Sequence, residues 1–224
     1  MTREKPRVAV IGGTGDLGSG LARQLLRAGY EVVIGSRSRE RAGQAAQALA
    51  KNRPAAKVHG AANAAAAAEA DIVIMAVPFT HHEATLLAIR EQVQGKIVVD
   101  ATVPLVPPKV TRVQLPAGGS AAKRAQELLG DGVRVVSAFQ NIAAAHLNGE
   151  DLRDVACDVL VCGNDASARE AVVALAADLG LTAWHAGAID NAVVAEALTS
   201  VLIFLNRKYK LDGAGIRIVA NRAP

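Results

Sequence analysis

Aromatic residues are scarce in this sequence: phenylalanine, tryptophan and tyrosine together make up 3% of its 224 residues. The hydrophobic core must therefore consist mainly of alanine, valine, leucine and isoleucine, as in sheets that helices cover on both faces. Hydrophobic residues still reach 51% and charged residues 21%, which favours a compact fold over a disordered chain. The length suits one sizeable domain, or a domain with a smaller partner.

Cysteine is equally rare, with Cys157 and Cys162 as the only two in the chain. A zinc site would need a second pair of ligands, and no such pair accompanies them. Each cysteine lies in or beside the apolar run DVLVC. We therefore interpret both as buried thiols of a protein that resides in a reducing compartment.

The sequence also lacks a dense basic run and an obvious membrane anchor. Its formal net charge is +4 with the basic residues dispersed, which fits a small anionic ligand and argues against nucleic acid. The first six residues are polar and do not resemble a signal peptide. The apolar stretch Ala192–Leu205 contains Glu196 and is too short to span a bilayer. We therefore expect a cytoplasmic protein without a membrane partner.

Short apolar runs alternate with helix-like segments, which predicts a Rossmann-type, doubly wound α/β fold with a mostly parallel sheet. The candidate strands are Arg7–Ile11, Glu31–Gly35, Lys57–His59, Asp71–Val77, Lys96–Asp100, Arg134–Ala138, Asp158–Cys162 and Thr182–His185. Several are continuous β-branched runs, typical of strands that are buried on both faces. Helices are predicted at Gly18–Ala28, Arg39–Lys51, Ala61–Ala70 and Ala121–Leu129. The proline-rich stretch Val103–Ser120 is an irregular connection that either borders a ligand site or only joins two elements.

A glycine-rich loop follows the first strand, with the spacing G-x-G-x-x-G at Gly13, Gly15 and Gly18. In such a loop the first glycine permits a tight turn, the second admits a pyrophosphate, and the third allows close packing of helix on strand. The helix that begins near Asp16 points its free amides at the anion. Because the motif lies between a strand and a helix, it predicts a dinucleotide site.

The second strand ends in Ser36 and Arg37, where an NAD-binding protein would place an acid to bind the ribose hydroxyls. A hydroxyl and guanidinium groups instead match the oxygens of a 2′-phosphate. The nearby Arg39 and Arg41 are either further phosphate ligands or the solvated start of a helix. The sequence therefore predicts NADP as the cofactor, with Arg41 assigned to the phosphate.

The fourth strand ends in Val77 and Pro78, at the point where a crevice forms beyond the carboxyl ends of the strands. Proline fixes the backbone there and would lie beneath the ribose or the nicotinamide. Two histidines follow. We assign His82 to the protein surface and keep His81 as a candidate cofactor contact.

Four segments together resemble the NADPH-dependent reductases of the deazaflavin coenzyme F-420, also called F-420H2:NADP oxidoreductases. They are IGGTGDLGSGLARQLLRAGYEVVIGSR, AVPF, VVSAFQNI and DGAGIRI, and the resemblance extends from Val8 to about Ile218. It implies direct, reversible hydride exchange between C4 of the nicotinamide and C5 of the 8-hydroxy-5-deazaflavin, without a protein acid or base that carries the hydride. The protein would hold two rings face to face.

The resemblance also implies a set of binding residues. The pyrophosphate contacts would be Thr14, Gly15, Asp16 and Leu17; the 2′-phosphate contacts Ser36, Arg37 and Arg41; the nicotinamide contacts Val77, Pro78, Val103 and Ala138; and the deazaflavin contact Ala214. To these we add Phe139–Ile142 and the Gly213–Gly215 turn as the opposite wall of the cleft. Residues 1–155 would form the NADP-binding domain, and residues 156–224 a smaller C-terminal α/β extension that closes the deazaflavin cleft.

Two other functions stay open at this point: an NADP(H)-sensing binding protein, and an NADPH reductase of ordinary flavins. The absence of a nameable acid, base or nucleophile does not separate them, because direct hydride transfer needs none. The stretch Ala192–Leu205 is apolar on more than one helical face, which indicates a homodimer. The alternative for that stretch is burial within its own subunit.

Overall fold

All eight predicted strands form, with bounds that differ by at most three residues from those expected. The computed structural model describes residues 5–51, 53–149 and 151–220. Within these residues the strands are β1 (Val8–Ile11), β2 (Val32–Ser36), β3 (Val58–Ala62), β4 (Ile72–Met75), β5 (Ile97–Asp100), β6 (Arg134–Ser137), β7 (Val159–Gly163) and β8 (Ala183–His185). The first four residues, on which the absence of a signal peptide partly rests, lie outside the described residues.

The strands form one sheet in the order β3-β2-β1-β4-β5-β6-β7-β8. Neighbouring strands are parallel except for β6 and β7, which pair antiparallel through Val136–Gly163 and Ser137–Cys162. The order reverses at β1, because β2 lies on one side of it and β4 on the other. This is the strand order of the Rossmann fold, in which a ligand crevice opens at that reversal.

Helices cover both faces of the sheet. They are α1 (Asp16–Arg27), α2 (Arg39–Lys51), α3 (Asn63–Glu69), α4 (His82–Ile89), α5 (Ala121–Leu129), α6 (Ala144–Leu147), α7 (Ala166–Asp178) and α8 (Ala192–Tyr209). Buried residues of α1, α2 and α7 pack with Val8 and Val10 on one face, and those of α3, α4 and α5 pack with Ala9 and Ile11 on the other. Alternation along β1 thus supplies two apolar layers, as the sequence predicted.

Small residues let the helices approach closely. A Cβ on Gly20 of α1 would lie 2.6 Å from the Cβ of Leu147 in α6. A Cβ on Gly60 of β3 would overlap the backbone of Ala42 in α2. Because few large aromatic side chains separate them, the layers of the fold pack at short distances.

The last helix extends beyond the apolar stretch Ala192–Leu205. It continues past Leu205 to Tyr209, giving 18 residues, and it ends at Lys210 in a left-handed conformation (φ 54°). Together with the preceding turn, residues 189–209 are long and apolar enough to cross a membrane by length and composition, with a mean hydropathy of 1.4. The length of Ala192–Leu205 alone therefore does not exclude a membrane span for the whole helix.

Candidate cofactor-binding site

The glycine loop joins β1 to α1 as expected, and α1 begins at Asp16 with Gly15 as its N-cap. The left-handed residue of the turn is Gly12 (φ 81°), where a Cβ would lie 2.5 Å from the carbonyl oxygen of Ala76. The tight-turn role assigned to Gly13 therefore belongs to the residue before it. A Cβ on Gly18 would overlap the carbonyl of Gly12, so this glycine allows helix and loop to pack closely, as predicted.

The end of β2 and the start of α2 border the same crevice as the glycine loop. Ser36, Arg37 and Arg41 all line it, together with Ser38. The Ser38 hydroxyl accepts a hydrogen bond from the amide of Arg41 (3.2 Å) and so begins α2. Among the described residues, neither guanidinium forms an ion pair. Arg39 does not line the crevice, which fits its alternative interpretation as a solvated helix start.

The crevice lies at the carboxyl ends of β1, β2 and β4 and has a volume of about 300 Å³. Seven predicted site residues line it: Thr14, Gly15, Ser36, Arg37, Arg41, Val77 and Pro78. His81, the candidate contact, lines it as well. The crevice also contains residues that the sequence argument missed: Gly12, Ser38, Asn63, Ala76 and Thr85. Ser38 and Asn63 are polar residues that follow β2 and β3, and this position could have predicted that they line the crevice.

The remaining predicted residues do not line this crevice. Gly13, Asp16, Leu17 and Gly18 lie in the loop and first turn of α1, while Val103 and Ala138 follow β5 and β6. Ala138 is fully buried. Ala214 lies in the C-terminal segment, where its amide donates to Asn206 Oδ1 (2.8 Å).

The two segments that we added as the opposite wall are packed into the protein. Phe139–Ile142 is buried throughout, with exposures between 0% and 5%, so these side chains do not form an open surface. A Cβ on Gly213 would overlap the His146 ring, and one on Gly215 would overlap the Cys157 sulfur. Both glycines thus serve close packing of the C-terminal segment, which explains their presence without a ligand.

The assignment of His82 to the surface is wrong. Its side chain is fully buried, and its Nε2 donates to Asp100 Oδ2 over 2.6 Å. The signal was present in the sequence, because His82, Leu86 and Ile89 are spaced to share one face of α4. Burial lowers the pKa of His82, but the charge and hydrogen bond of Asp100, together with the charges of Glu196 and Glu83, outweigh this and leave the pKa raised.

A second buried acid lies near this pair. Glu196 of α8 accepts hydrogen bonds from the backbone amides of Ala121 and Ala122 (2.7 and 3.0 Å) at the start of α5. Burial raises the pKa of Glu196 to about 7, although these two amides oppose the rise. The acid therefore joins α8 to α5 beneath the surface.

Both cysteines are buried free thiols, as expected. Burial raises the pKa of Cys157, and it raises that of Cys162 to about 11. Since the thiolate is the reactive form, neither is suited to act as a nucleophile near neutral pH.

The fold and the crevice define a Rossmann-type dinucleotide-binding protein, and comparison with known proteins narrows this class. The sequence model of a family described as "NADP oxidoreductase coenzyme F420-dependent" matches residues 7–104. An F420-dependent NADP reductase of Methanocaldococcus jannaschii is 42% identical over 95% of this chain and 97% of its own length. That of Methanothermobacter marburgensis is 43% identical over 95% and 97%. The chain belongs to this family of F420-dependent NADP oxidoreductases.

A solved structure supports the same grouping. The crystal structure of a protein from Arthrobacter sp. FB24, described as an F420-dependent NADP reductase, superposes with a TM-score of 0.80. It is 28% identical and covers 96% of this chain and all of its own. The similarity includes the region beyond residue 104, where the family model does not reach.

Proposed function

We propose that this chain is an oxidoreductase that catalyses reversible, direct hydride transfer between NADP(H) and the deazaflavin coenzyme F-420. The observation that carries the proposal is the meeting of the glycine loop with Ser36, Arg37 and Arg41 in one crevice. No acid at the end of β2 opposes a 2′-phosphate there. Membership of the family supports NADP and F-420 as the two substrates.

The adenosine half of NADP would lie over the end of β2. Thr14, Gly15, Asp16 and Leu17 would bind the pyrophosphate with the free amides at the start of α1. Ser36, Arg37 and Arg41 would bind the 2′-phosphate. The fit rests on two features: glycines that leave room beside the loop, and two guanidinium groups that have no acidic partner among the described residues.

The nicotinamide half would lie over the ends of β4, β5 and β6, where Val77, Pro78, Val103 and Ala138 follow their strands. The deazaflavin would face it, with Ala214 as a contact and residues 156–224 closing the cleft. With both molecules bound, the residues of this cleft would hold C4 of NADPH, the hydride donor, against C5 of oxidised F-420, the acceptor. The chain's part is to hold the rings in register and exclude water.

An absorbance assay tests this function. NADPH and oxidised F-420 should react only in the presence of the protein, with loss of the visible absorbance of the deazaflavin. NADPH deuterated at the transferred C4 position should deliver the label to C5. Binding of NADPH without turnover would favour the NADP(H)-sensing alternative, and comparable turnover of FMN would favour an ordinary flavin reductase.

We also propose that the protein is a homodimer that pairs through α8. Val194, Val201 and Phe204 are exposed by 58%, 42% and 49%, and their spacing places them along one side of the helix. A second copy would remove this apolar stripe from water. Sedimentation velocity should give twice the chain mass at micromolar concentration, and a monomer would contradict the proposal.

We further propose that the protein resides in the cytoplasm without a membrane partner. Cell fractionation tests this localisation.

A further inference from the structure

Asp100, the last residue of β5, contacts the segments that leave three neighbouring strands. On its own strand, Oδ1 accepts a hydrogen bond from the amide of Thr102 (2.9 Å). Its Oδ2 accepts from Nε2 of His82, which begins α4 after β4 (2.6 Å). Its backbone oxygen accepts from the amide of Ala138 (3.2 Å) and from Nε2 of Gln140 (2.8 Å), both after β6. One residue thereby fixes three backbone paths relative to one another.

These three paths carry the residues that the proposed function places along the nicotinamide. Val103 directly follows Thr102, and Ala138 is itself bonded to Asp100. On the β4 side, the His82 ring stacks against Phe79, which follows Pro78, with ring centroids 6.2 Å apart. A shift of Asp100 would therefore move all three parts of the nicotinamide wall, because its side chain binds the segments after β4 and β5 and its backbone carbonyl binds the segment after β6.

The surroundings of Asp100 are polar in a place where an apolar core would be more stable. Asp100 and His82 are both fully buried. Nδ1 of His82, Oγ1 of Thr102 and Oε1 of Gln140 are buried without a hydrogen-bond partner among the described residues. Each buried polar atom without a hydrogen-bond partner lowers the stability of the fold. A cluster with three such atoms therefore points to a functional role for these residues.

We propose that Asp100 is a positioning residue for hydride transfer. It contacts neither substrate, and acts by holding the ends of β4, β5 and β6 at the spacing that the two rings require. The inference rests on the nicotinamide placement proposed above. Its physical basis is the steep dependence of transfer on the distance and angle between the reacting carbons.

Steady-state kinetics on two variants test this role. Asp100→Val removes every side-chain contact while suiting a strand end, and Asp100→Asn keeps the shape and the acceptor for Thr102. We expect Asp100→Val to lower kcat by at least about tenfold, since misplacement by 1 Å can cost about a hundredfold. The Kd for NADPH should change far less than kcat, because the proposed phosphate contacts lie elsewhere in the crevice. Asp100→Asn should recover most of the activity.

The deuterium isotope effect separates positioning from general damage to the fold. With NADPH deuterated at the transferred position, the effect should grow in Asp100→Val because hydride transfer becomes rate-limiting. An unchanged kcat, or a Kd that rises as much as kcat falls, would overturn the inference.

A second pair of variants keeps the test valid if Asp100→Val does not fold. Gln140→Leu removes only the bonds from Nε2 to the Asp100 carbonyl and to Ser137 Oγ (2.8 and 2.7 Å). Its matched control is Gln24→Leu, since buried Gln24 likewise binds two oxygens, those of Leu147 and Gly149 (2.8 and 2.9 Å), in another part of the fold. Both should lower the melting temperature, but only Gln140→Leu should lower kcat and enlarge the isotope effect. Equal kinetic effects would refute a positioning role.

Val103→Trp separates failure of this inference from failure of the underlying placement. If Val103→Trp blocks turnover while Asp100→Val does not, the nicotinamide placement stands and the inference is wrong. If neither changes turnover, the placement itself is wrong.

Discussion

Replacing Arg37 by alanine should weaken NADPH binding by about tenfold and leave NADH binding almost unchanged. A hydrogen bond to a charged group contributes about 1.5–3 kcal/mol, which corresponds to roughly 10- to 150-fold in Kd. We expect the lower end because Arg37 is exposed to water and Arg41 would still face the same phosphate. NADH has no 2′-phosphate and should not register the loss.

Arg39 provides the matched control for this experiment. It carries the same charge, is also exposed and lies two residues away, but it does not line the crevice. Kd values for NADPH and NADH from fluorescence titration of Arg37→Ala and Arg39→Ala distinguish a direct contact from a long-range field. If Arg39→Ala weakens NADPH equally, or if Arg37→Ala weakens both cofactors equally, the 2′-phosphate assignment is refuted.

Two further predictions concern stability. Gly18→Ala should lower the free energy of unfolding by about 1–3 kcal/mol, because its Cβ would overlap the Gly12 carbonyl. By contrast, Gly43→Ala should raise it by up to about 1 kcal/mol, since that helical site has nothing within 4 Å; thermal and urea unfolding compare the two, and equal signs would contradict the packing argument. Burial raises the pKa of Glu196 to about 7, so the folded protein keeps this proton to higher pH than the unfolded chain. Stability should therefore fall as pH rises from about 4.5 to 7, and urea unfolding of Glu196→Gln should show a flatter fall; an identical slope would rule out this acid as the cause.

Local sequence patterns predicted the strands and the phosphate crevice because both depend on short-range chemistry. Runs such as IVVD at Ile97–Asp100 are buried on both faces, and the glycine spacing needs only one turn of chain. The burial of His82 follows from its spacing to Leu86 and Ile89, which lie one and two turns further along α4, and not from its neighbour His81. The sequence thus contained the signal in the helical spacing of these apolar residues.

Other features could not be predicted because they depend on residues far apart in the chain. Gly215 packs against Cys157, and no local signal links the two positions. The end of α8 was not predicted, because its last turn after Leu205 is polar and because Lys210 takes the left-handed conformation that usually marks a glycine. Likewise, the bonds that converge on Asp100 come from three strand exits, which only the folded sheet brings together.

The antiparallel pairing of β6 and β7 decides which edge of the sheet the end of the chain reaches. Because β7 and β8 run opposite to β1–β6, the first residue of β7 lies at the edge where β1–β6 finish. There the amide of Asp158 donates to the carbonyl of Ile216 (2.8 Å), and its Oδ2 accepts from the amide of Ile218 (2.8 Å). If β7 ran parallel to β1–β6, its first residue would lie at the opposite edge of the sheet. The C-terminal segment that is hydrogen-bonded to Asp158 would then lie there too. The reversal between β6 and β7 thus brings the last part of the chain to the same edge of the sheet at which the crevice opens beyond β1, β2 and β4.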